Sequence, residues 1–212
     1  EEKRVTSKLS MSQVHTYPIK GDPKRGIPEE ILTEFGTRAS VNETTGEVDT
    51  VFYKYITGYK QRKLPKTFSW VGKPDGCFGK ERIKGDRKYL IVTEGEEDAQ
   101  AAAAILSKFG GSEVRLADVV SLPNGAALDT VTRGEIDFFS NYSRIYLALD
   151  NDPVGDKARD EIADWLCGFA EVRFMKHDPT IGKDASDYWK AGKTKEWRLM
   201  IKDAEVYSPE GI

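Results

Sequence analysis

Cysteine, histidine and long apolar runs are all scarce in this chain of 212 residues. Only two cysteines occur, Cys77 and Cys167, and they lie far apart, outside any Cys-x-x-Cys or Cys/His spacing that binds zinc. The two histidines, His15 and His177, are also too far apart to suggest a metal site. The sequence therefore excludes a disulfide framework and a structural zinc site, and a reduced, intracellular setting is expected.

The sequence also has no apolar run of about 18 residues, the length that a membrane-spanning helix needs. Its first residues are charged, whereas a signal peptide has an apolar stretch there. A hydrophobic content of 39% is sufficient to form a packed core in a protein of this length. These features predict an ordinary globular protein and argue against a membrane or secreted one.

The net charge of −3 conceals an uneven distribution of charge along the chain. Residues 1–88 contain 18 Lys and Arg and 12 Asp and Glu, a balance of +6, whereas the remainder has 14 and 23, a balance of −9. The basic excess is greatest in residues 50–88, with 11 basic and 3 acidic residues and interleaved aromatic side chains. This composition suits phosphates and stacked bases, although a solvated β-ribbon with lysines on its edge has the same composition.

The first third of the chain has short and irregular patterns. Residues up to about Gly21 have weak periodicity and are expected to form a poorly ordered arm or linker. Residues 27–36 have a proline near the start, acids in the first turn and a closing glycine, which is typical of a short helix. Residues 38–41 and 48–55 flank a Thr-Gly turn and predict a β-hairpin.

From Lys88 onward, predicted strands alternate with predicted helices. We expect strands at residues 89–92, 118–122, 144–149 and 171–175, helices at residues 97–109, 128–139 and 154–167, and helix in the remainder. The alternation predicts an α/β fold with a parallel sheet, because right-handed crossovers bring each strand back parallel to the last. An apolar stripe is expected in the core and consists of Ile162, Trp165, Leu166 and Phe169.

Acidic residues directly follow two of the predicted strands. Glu94 follows the first strand, and Asp150 and Asp152 follow the third. Because ligands of a parallel sheet collect beyond the carboxyl ends of its strands, these three carboxylates should lie together if the two strands are neighbours. Hard oxygen ligands of this kind suit Mg²⁺, which keeps several waters and binds substrate phosphates. The alternative for Asp152 is an N-cap, since Pro153 follows it at the first helical position.

Together these residues resemble the TOPRIM domain shared by primases, topoisomerases, some nucleases and recombination proteins. The family has Glu-Gly at the end of one strand and Asp-x-Asp at the end of another, matched here by Glu94-Gly95 and by residues 150–152. Further segments resemble the primase half of phage replicative primase–helicases, an architecture that also occurs in the mitochondrial helicase Twinkle. These segments are Arg25 to Ile27, Cys77 to Lys80, Val120 to Ala126, Asp150 to Gly155 and Lys183 to Asp187.

The resemblance implies four segments along the chain. Residues 1–23 are expected to form an arm or linker, and residues 24–87 a small basic α+β subdomain. Residues 88–205 are expected to form a TOPRIM catalytic domain, a mostly parallel sheet flanked by helices, and residues 206–212 a linker to a C-terminal helicase. The family usually has an N-terminal zinc module, but this chain lacks the clustered cysteines from which such a module is built.

The resemblance also implies an activity, that of a DNA primase. Such an enzyme is a metal-dependent nucleotidyltransferase that makes short RNA primers on single-stranded DNA during replication. Its expected partners are the template, ribonucleoside triphosphates and a C-terminal ring helicase. The expected location is the cytoplasm of a phage-infected bacterium, or an organelle matrix for a Twinkle-like protein. The alternatives are a TOPRIM nuclease or strand-cleaving enzyme that uses the same acids, and a non-catalytic, helicase-associated DNA-binding module.

The site residues follow from the same resemblance. Mg²⁺, or alternatively Mn²⁺, is the expected cofactor, with Glu94, Asp150, Asp152 and Asp184 as metal ligands. The expected catalytic residues are Glu94, Asp98, Asp150 and Asp152. The expected nucleotide- or DNA-binding residues are Lys54, Lys60, Arg62, Lys66 and Asn124, the last at a position where relatives carry histidine. Tyr59 and Trp70 are expected either to stack on template bases or to pack the basic segment.

Overall fold

A computed structural model describes residues 6–73, 75–109 and 117–209. The chain divides into two compact units, Glu1–Arg82 and Ile83–Ile212, a few residues before the boundary expected at residue 87. Within the described ranges, every helix is too short or too polar to span a lipid bilayer.

The first unit contains a four-stranded antiparallel sheet in which neighbours in sequence are neighbours in space. Its strands are β1 (Arg38–Val41), β2 (Val48–Tyr55), β3 (Gly58–Lys63) and β4 (Thr67–Gly72), in the order β1-β2-β3-β4. The predicted hairpin is confirmed as β1 and β2. The strands β3 and β4 extend it through the basic segment, so most of the basic excess lies on this sheet or in the turns beside it.

Two short α-helices also belong to this unit, α1 (Met11–His15) and α2 (Glu29–Glu34). The expectation of an arm at residues 1–23 is wrong for the described part. A capping box begins α1, in which Ser10 accepts from the N–H of Gln13 and the Gln13 side chain accepts from the N–H of Ser10. Val14 is fully buried with Phe52. One capped turn with one buried side chain is too short to give a periodic sequence pattern.

An aromatic cluster stabilises the first unit further. Phe78 stacks on Phe35 at 5.1 Å between ring centroids and lies 5.8 Å from Tyr53 and 5.6 Å from Tyr55. Aromatic pairs at these separations add to the stability gained by burial. The segment Cys77 to Lys80 therefore has a packing role in this unit, in addition to its place in the family resemblance.

The second unit is α/β, as predicted. Its sheet has the order β6-β5-β7-β8-β9, in which the first four strands are parallel and β9 is antiparallel to β8. The strands are β5 (Tyr89–Thr93), β6 (Ala117–Ser121), β7 (Arg144–Ala148), β8 (Glu171–Phe174) and β9 (Glu205–Val206). The helices are α3 (Glu96–Ser107), α4 (Thr130–Gly134), α5 (Ile136–Phe139), α6 (Pro153–Leu166), α7 (Ala185–Lys190) and α8 (Thr194–Asp203).

Three details of the second unit differ from the prediction. The helix expected at residues 128–139 is two short helices, because the first ends at Gly134, a poor helix former. The tail expected to be helical includes β9, whose two residues are too few for an alternating pattern. Ile162 and Leu166 are fully buried as expected, but Phe169 lies beyond the end of α6 and is 55% exposed.

Candidate metal centre

The two acid-bearing strands are neighbours. β5 pairs in parallel with β7, and the last pair of this ladder joins Thr93 with Ala148. Glu94 and Asp150 therefore leave the same edge of the sheet side by side, and the backbone N–H of Asp150 donates a hydrogen bond to the Glu94 carboxylate. The spatial condition on which the predicted site depends is met.

Three aspartates converge at this edge. One carboxylate oxygen from each of Asp98, Asp150 and Asp184 lies within 4.8 Å of the others. We call these three residues the acid cluster. They come from the first turn of α3, the loop after β7 and the N-cap of α7.

Hydrogen bonds hold the acid cluster in place. Asp98 Oδ1 accepts from the N–H of Ser186 at 3.2 Å and from its Oγ at 2.5 Å, which fastens α7 to α3. Asp184 accepts from the N–H of Asp187 at 2.8 Å as the N-cap of α7. Backbone and side-chain donors thus hold the carboxylates of Asp98 and Asp184 in position.

Burial and the repulsion between neighbouring carboxylates raise the pKa values of Asp98, Glu94 and Asp150. Burial raises the pKa of Asp98 well above its usual range, and the negative charges of Asp184 and Asp150 add to this effect. Burial, followed by the charge of Asp150, raises the pKa of Glu94 to about 7. The pKa of Asp150 is also raised, chiefly by burial. Raised pKa values show that neighbouring, buried negative charges are unfavourable here, so the site should prefer a bound cation or shared protons.

The donor set fits a divalent metal ion. Glu94 Oε2 is buried and has no hydrogen-bond partner among the described residues. An unpaired buried carboxylate oxygen is costly, and either a bound cation or a donated proton would satisfy it. The acid cluster and Glu94 together offer hard oxygen ligands, the chemistry that Mg²⁺ and Mn²⁺ prefer.

Asp152 has a different role in the structure from the other predicted ligands. Its Oδ1 accepts from the N–H groups of Val154 and Gly155, both at 3.0 Å, so the side chain is the N-cap of α6. These hydrogen bonds lower its pKa. Its Oδ2 lies 3.4 Å from Nζ of Lys183. The capping interpretation therefore applies to Asp152, which lies next to the acid cluster without belonging to it.

Lys183 was missed as a site residue. Its ammonium forms ion pairs with both Asp150 and Asp152. Ser186, which holds Asp98, was missed as well. Both lie in the segment Lys183 to Asp187, in which only Asp184 was predicted as a site residue. The family resemblance of this segment could have indicated that Lys183 and Ser186 also belong to the site.

Gly155 allows the loop after β7 to approach α6 closely. A Cβ at this position would lie 2.1 Å from the carbonyl oxygen of Asp150. We expect Gly155→Ala to lower the free energy of unfolding by about 3 kcal/mol, because backbone must move to relieve the clash. Gly134→Ala is the matched control, since a Cβ there meets nothing within 4 Å. Urea denaturation followed by circular dichroism measures both variants, and equal stability of the two would contradict this account of Gly155.

The raised pKa of Glu94 predicts a pH dependence of stability in the metal-free protein. Its pKa rises from 4.5 to about 7 on folding, so the folded state binds more protons between these values and stability is lost as pH rises through them. His177, whose pKa burial lowers from 6.5 to about 4, acts in the opposite direction. The difference between wild type and Glu94→Gln isolates the Glu94 contribution.

Between pH 5 and pH 7.5, we expect the unfolding free energy of wild type to fall by about 1–2 kcal/mol relative to that of Glu94→Gln, after allowance for solvent screening. Urea denaturation with a chelator present measures it at each pH. A difference that stays constant over this range would show that the carboxylate of Glu94 is charged throughout.

The predicted basic residues do not form one cluster. Residues that pair directly across β-strands share a face, and successive residues alternate. Lys54 pairs with Tyr59, whereas Lys60 and Arg62 pair with Trp70 and Phe68, so Lys54 lies on the opposite face of the sheet. The expected set is therefore divided between two faces.

The individual contacts of these residues also differ. Lys54 forms an ion pair with Glu81 at 2.6 Å. Lys60 lies over the rings of Phe68 and Trp70, at 5.2 and 5.7 Å from their centroids. Arg62 donates to the carbonyl of Pro65, next to the exposed Lys66.

The aromatic residues of this sheet pack against it to different degrees. Tyr59 is fully buried, so the packing interpretation applies to it. Trp70 is half-buried, with the ammonium of Lys60 over its ring.

Asn124 lies in the loop after β6, at the same edge of the second sheet as Glu94. Its side-chain amide donates to Asp129 Oδ2 at 2.6 Å. Asp129 in turn caps α4 by accepting from the N–H of Thr132 at 2.8 Å. In this arrangement Asn124 supports the conformation of the loop that borders the site.

Comparison with models of protein families gives a match within the second unit. The family model of the Toprim domain matches residues 89–177, which contain Glu94, Asp98, Asp150 and Asp152. The matched residues include the four parallel strands of the second sheet. Comparison with curated protein sequences gives no match.

Solved structures extend the likeness to the whole chain. The primase fragment of the bacteriophage T7 primase-helicase has a TM-score of 0.74 and 23% identity, over 95% of this chain and 81% of that one. The Aquifex aeolicus primase has a TM-score of 0.63 and 18% identity, over 87% and 55% of the two chains. A DnaG primase catalytic domain bound to single-stranded DNA has a TM-score of 0.63 and 14% identity, over 92% and 77%. The chain therefore has the fold of primase catalytic domains.

Proposed function

We propose that this chain is the catalytic domain of a DNA primase, which joins ribonucleotides into short RNA primers on a single-stranded DNA template. The observation that carries the proposal is the convergence of Asp98, Asp150 and Asp184, with Glu94 beside them, at the carboxyl edge of the parallel sheet. The fold shared with the T7 primase fragment and the DnaG catalytic domain supports it.

Primer synthesis requires attack of a 3′-hydroxyl on the α-phosphate of a ribonucleoside triphosphate, with release of pyrophosphate. Bound Mg²⁺ or Mn²⁺ would supply positive charge to the triphosphate and lower the pKa of the attacking hydroxyl. The acid cluster would hold the ion, and Asp152 would orient the loop that carries Asp150 through its capping of α6. Glu94 lies beside Asp150, and burial raises the pKa of its carboxyl group, so its carboxylate is suited to accept the proton of the 3′-hydroxyl.

The first unit would bind phosphates. Lys60 and Arg62 share a face of its sheet with Phe68 and Trp70, a combination of cations and rings suited to single-stranded DNA. We assign this face to the template. Lys54, on the other face, and Lys66 in the β3–β4 turn are the candidates for the triphosphate.

The biological setting follows from the same proposal. The T7 relative is the primase fragment of a primase-helicase, so we propose a C-terminal ring helicase as the partner of this chain. Single-stranded DNA and ribonucleoside triphosphates are its proposed substrates. The cytoplasm of a phage-infected bacterium is the proposed location.

A primer-synthesis assay tests the proposal. The protein is incubated with single-stranded DNA, labelled ribonucleoside triphosphates and Mg²⁺, beside a nicking assay on the same DNA. We expect label in short RNA that disappears when the template or the metal is left out. Cut DNA without synthesis would support the nuclease alternative instead, and DNA binding with neither reaction would support the non-catalytic alternative.

A further inference from the structure

Asp150 faces two neighbouring positions for a cation. The first is formed with Asp98 and Asp184, as described above. The second lies between Asp150 and Asp152, where the ammonium of Lys183 contacts the former and lies 3.4 Å from Oδ2 of the latter. The protein's own lysine thus fills the second position, while no basic side chain is found paired with Asp98 or Asp184 in the part of the chain that the structure describes.

The backbone of Lys183 is anchored beside these acids. Its carbonyl accepts from the N–H of Asn151 at 2.9 Å, which ties it to the residue between the two aspartates. Its N–H donates to Asp187 Oδ2 at 3.2 Å. The close approach of Gly182 to Asp187, where a Cβ would lie 2.2 Å from Cβ of Asp187, fixes the same segment. These contacts hold the backbone of Lys183 at a position from which its ammonium reaches Asp150 and Asp152.

The side chain of Lys183, in contrast, reaches solvent. It is 51% exposed, and its flexible four-carbon stem carries the charge. Rotation of the stem would take the ammonium into solvent, or onto an anion bound nearby, without disturbing the anchored backbone. The ammonium of Lys183, on a flexible stem, is therefore suited to leave the position between Asp150 and Asp152 when another cation binds there.

We propose that Lys183 is a displaceable internal cation: its ammonium holds the Asp150–Asp152 position until a divalent ion and a nucleotide arrive together, and then moves onto the triphosphate. This inference rests on the proposed function. A lysine and a divalent cation repel each other strongly within about 4 Å, so both cannot occupy this position. Lys183 should therefore weaken the binding of metal alone and strengthen the binding of nucleotide with metal.

Lys183→Met tests this inference, because its two expected effects have opposite signs. Mn²⁺ is titrated into the protein without nucleotide and followed by electron paramagnetic resonance. We expect the weaker Mn²⁺ site to tighten by at least about tenfold in Lys183→Met. In a separate titration with Mg²⁺, we expect ribonucleoside triphosphate to bind about tenfold more weakly. Lys183→Arg keeps the charge and should bind Mn²⁺ much as wild type does.

Lys193→Met is the matched control. Lys193 is 49% exposed and forms an ion pair with Glu196 at 3.1 Å, so its removal changes the net charge equally without touching the acid cluster. Circular dichroism confirms that each variant is folded. Unchanged Mn²⁺ affinity in Lys183→Met relative to Lys193→Met overturns the inference. Weaker binding of both ligands also overturns it, because a structural role would then explain the contacts of Lys183.

The outcome for Lys183 and the outcome for the proposed function can be distinguished. Primer synthesis by the wild-type protein is measured separately from the Mn²⁺ titrations. Synthesis by wild type together with unchanged Mn²⁺ affinity in Lys183→Met overturns only the inference on Lys183. A shift in Mn²⁺ affinity without synthesis by wild type overturns the primase function and, with it, the assignment of the triphosphate as the anion that Lys183 meets.

Discussion

Asp150→Asn should lower primer synthesis by at least about 10³-fold while leaving the protein folded. Asp150 is the residue on which the site depends most, because it shares the acid cluster, pairs with Lys183 and donates its N–H to Glu94. A bound metal ion contributes several kcal/mol to a phosphoryl-transfer transition state, and each 1.36 kcal/mol changes the rate tenfold. Asparagine has nearly the same shape and keeps the backbone N–H, so the fold should be preserved.

Label incorporation into short RNA measures the loss, and a Mn²⁺ titration should show weaker binding in the same variant. Asp156→Asn is the matched control. Asp156 lies in the first turn of α6 and forms an ion pair with Arg159 at 2.6 Å, away from the acid cluster. If Asp150→Asn kept most of the wild-type activity, the acid cluster would not be the catalytic centre, and the non-catalytic alternative would be favoured.

The parts of the structure that the sequence predicts well are those with a local cause. The Thr45-Gly46 turn and the alternation around it predict β1 and β2, because turn chemistry and strand pattern act over a few residues. The proximity of Glu94 and Asp150 follows from a general property of parallel sheets, whose strand ends converge at one edge, together with the fact that β5 and β7 are neighbours. The position of a ligand-binding edge is therefore accessible once the alternation of strands and helices has been recognised.

The register of the first sheet could not be predicted from the sequence. The loop between β2 and β3 consists of Ile56 and Thr57, which lack the Asn-Gly or Asp-Gly chemistry of common two-residue turns. Without a recognised turn, the pairing of Lys54 with Tyr59 could not be deduced. A shift of one residue moves every side chain of a strand to the other face, so the division of the basic residues between two faces depends on this detail.

The finer structure of the site depends on contacts between distant parts of the chain. Asp98 is held by Ser186, 88 residues away, and Asp150 is paired with Lys183, 33 residues away. Neither pair has a characteristic spacing in sequence. Their partners are decided by how α7 docks on α3, which is a matter of tertiary packing. The identity of the acids was thus predictable, whereas the side chains that hold and neutralise them were not.

Glu94→Gln is the second change expected to have a large effect, and its distinguishing feature is pH dependence. If Glu94 accepts the proton of the 3′-hydroxyl, glutamine at this position should lower the rate of synthesis about 10²–10⁴-fold, the usual contribution of a general base. The wild-type rate should rise as pH rises through the pKa of Glu94 in the metal-bound protein, since only the ionised carboxylate accepts a proton. The variant should lack this rise over the same range.

Single-turnover measurements from pH 5.5 to pH 8.5 at saturating Mg²⁺ test this expectation, with Glu161→Gln as the control. Glu161 is an exposed acid on α6 that pairs with Lys157 at 3.8 Å. Because Glu94 lies beside the acid cluster rather than within it, Mn²⁺ should bind Glu94→Gln more tightly than it binds Asp150→Asn. If Glu94→Gln lost metal binding as completely as Asp150→Asn does, Glu94 would be a metal ligand. Its proposed role as the acceptor of the 3′-hydroxyl proton would then lose its support.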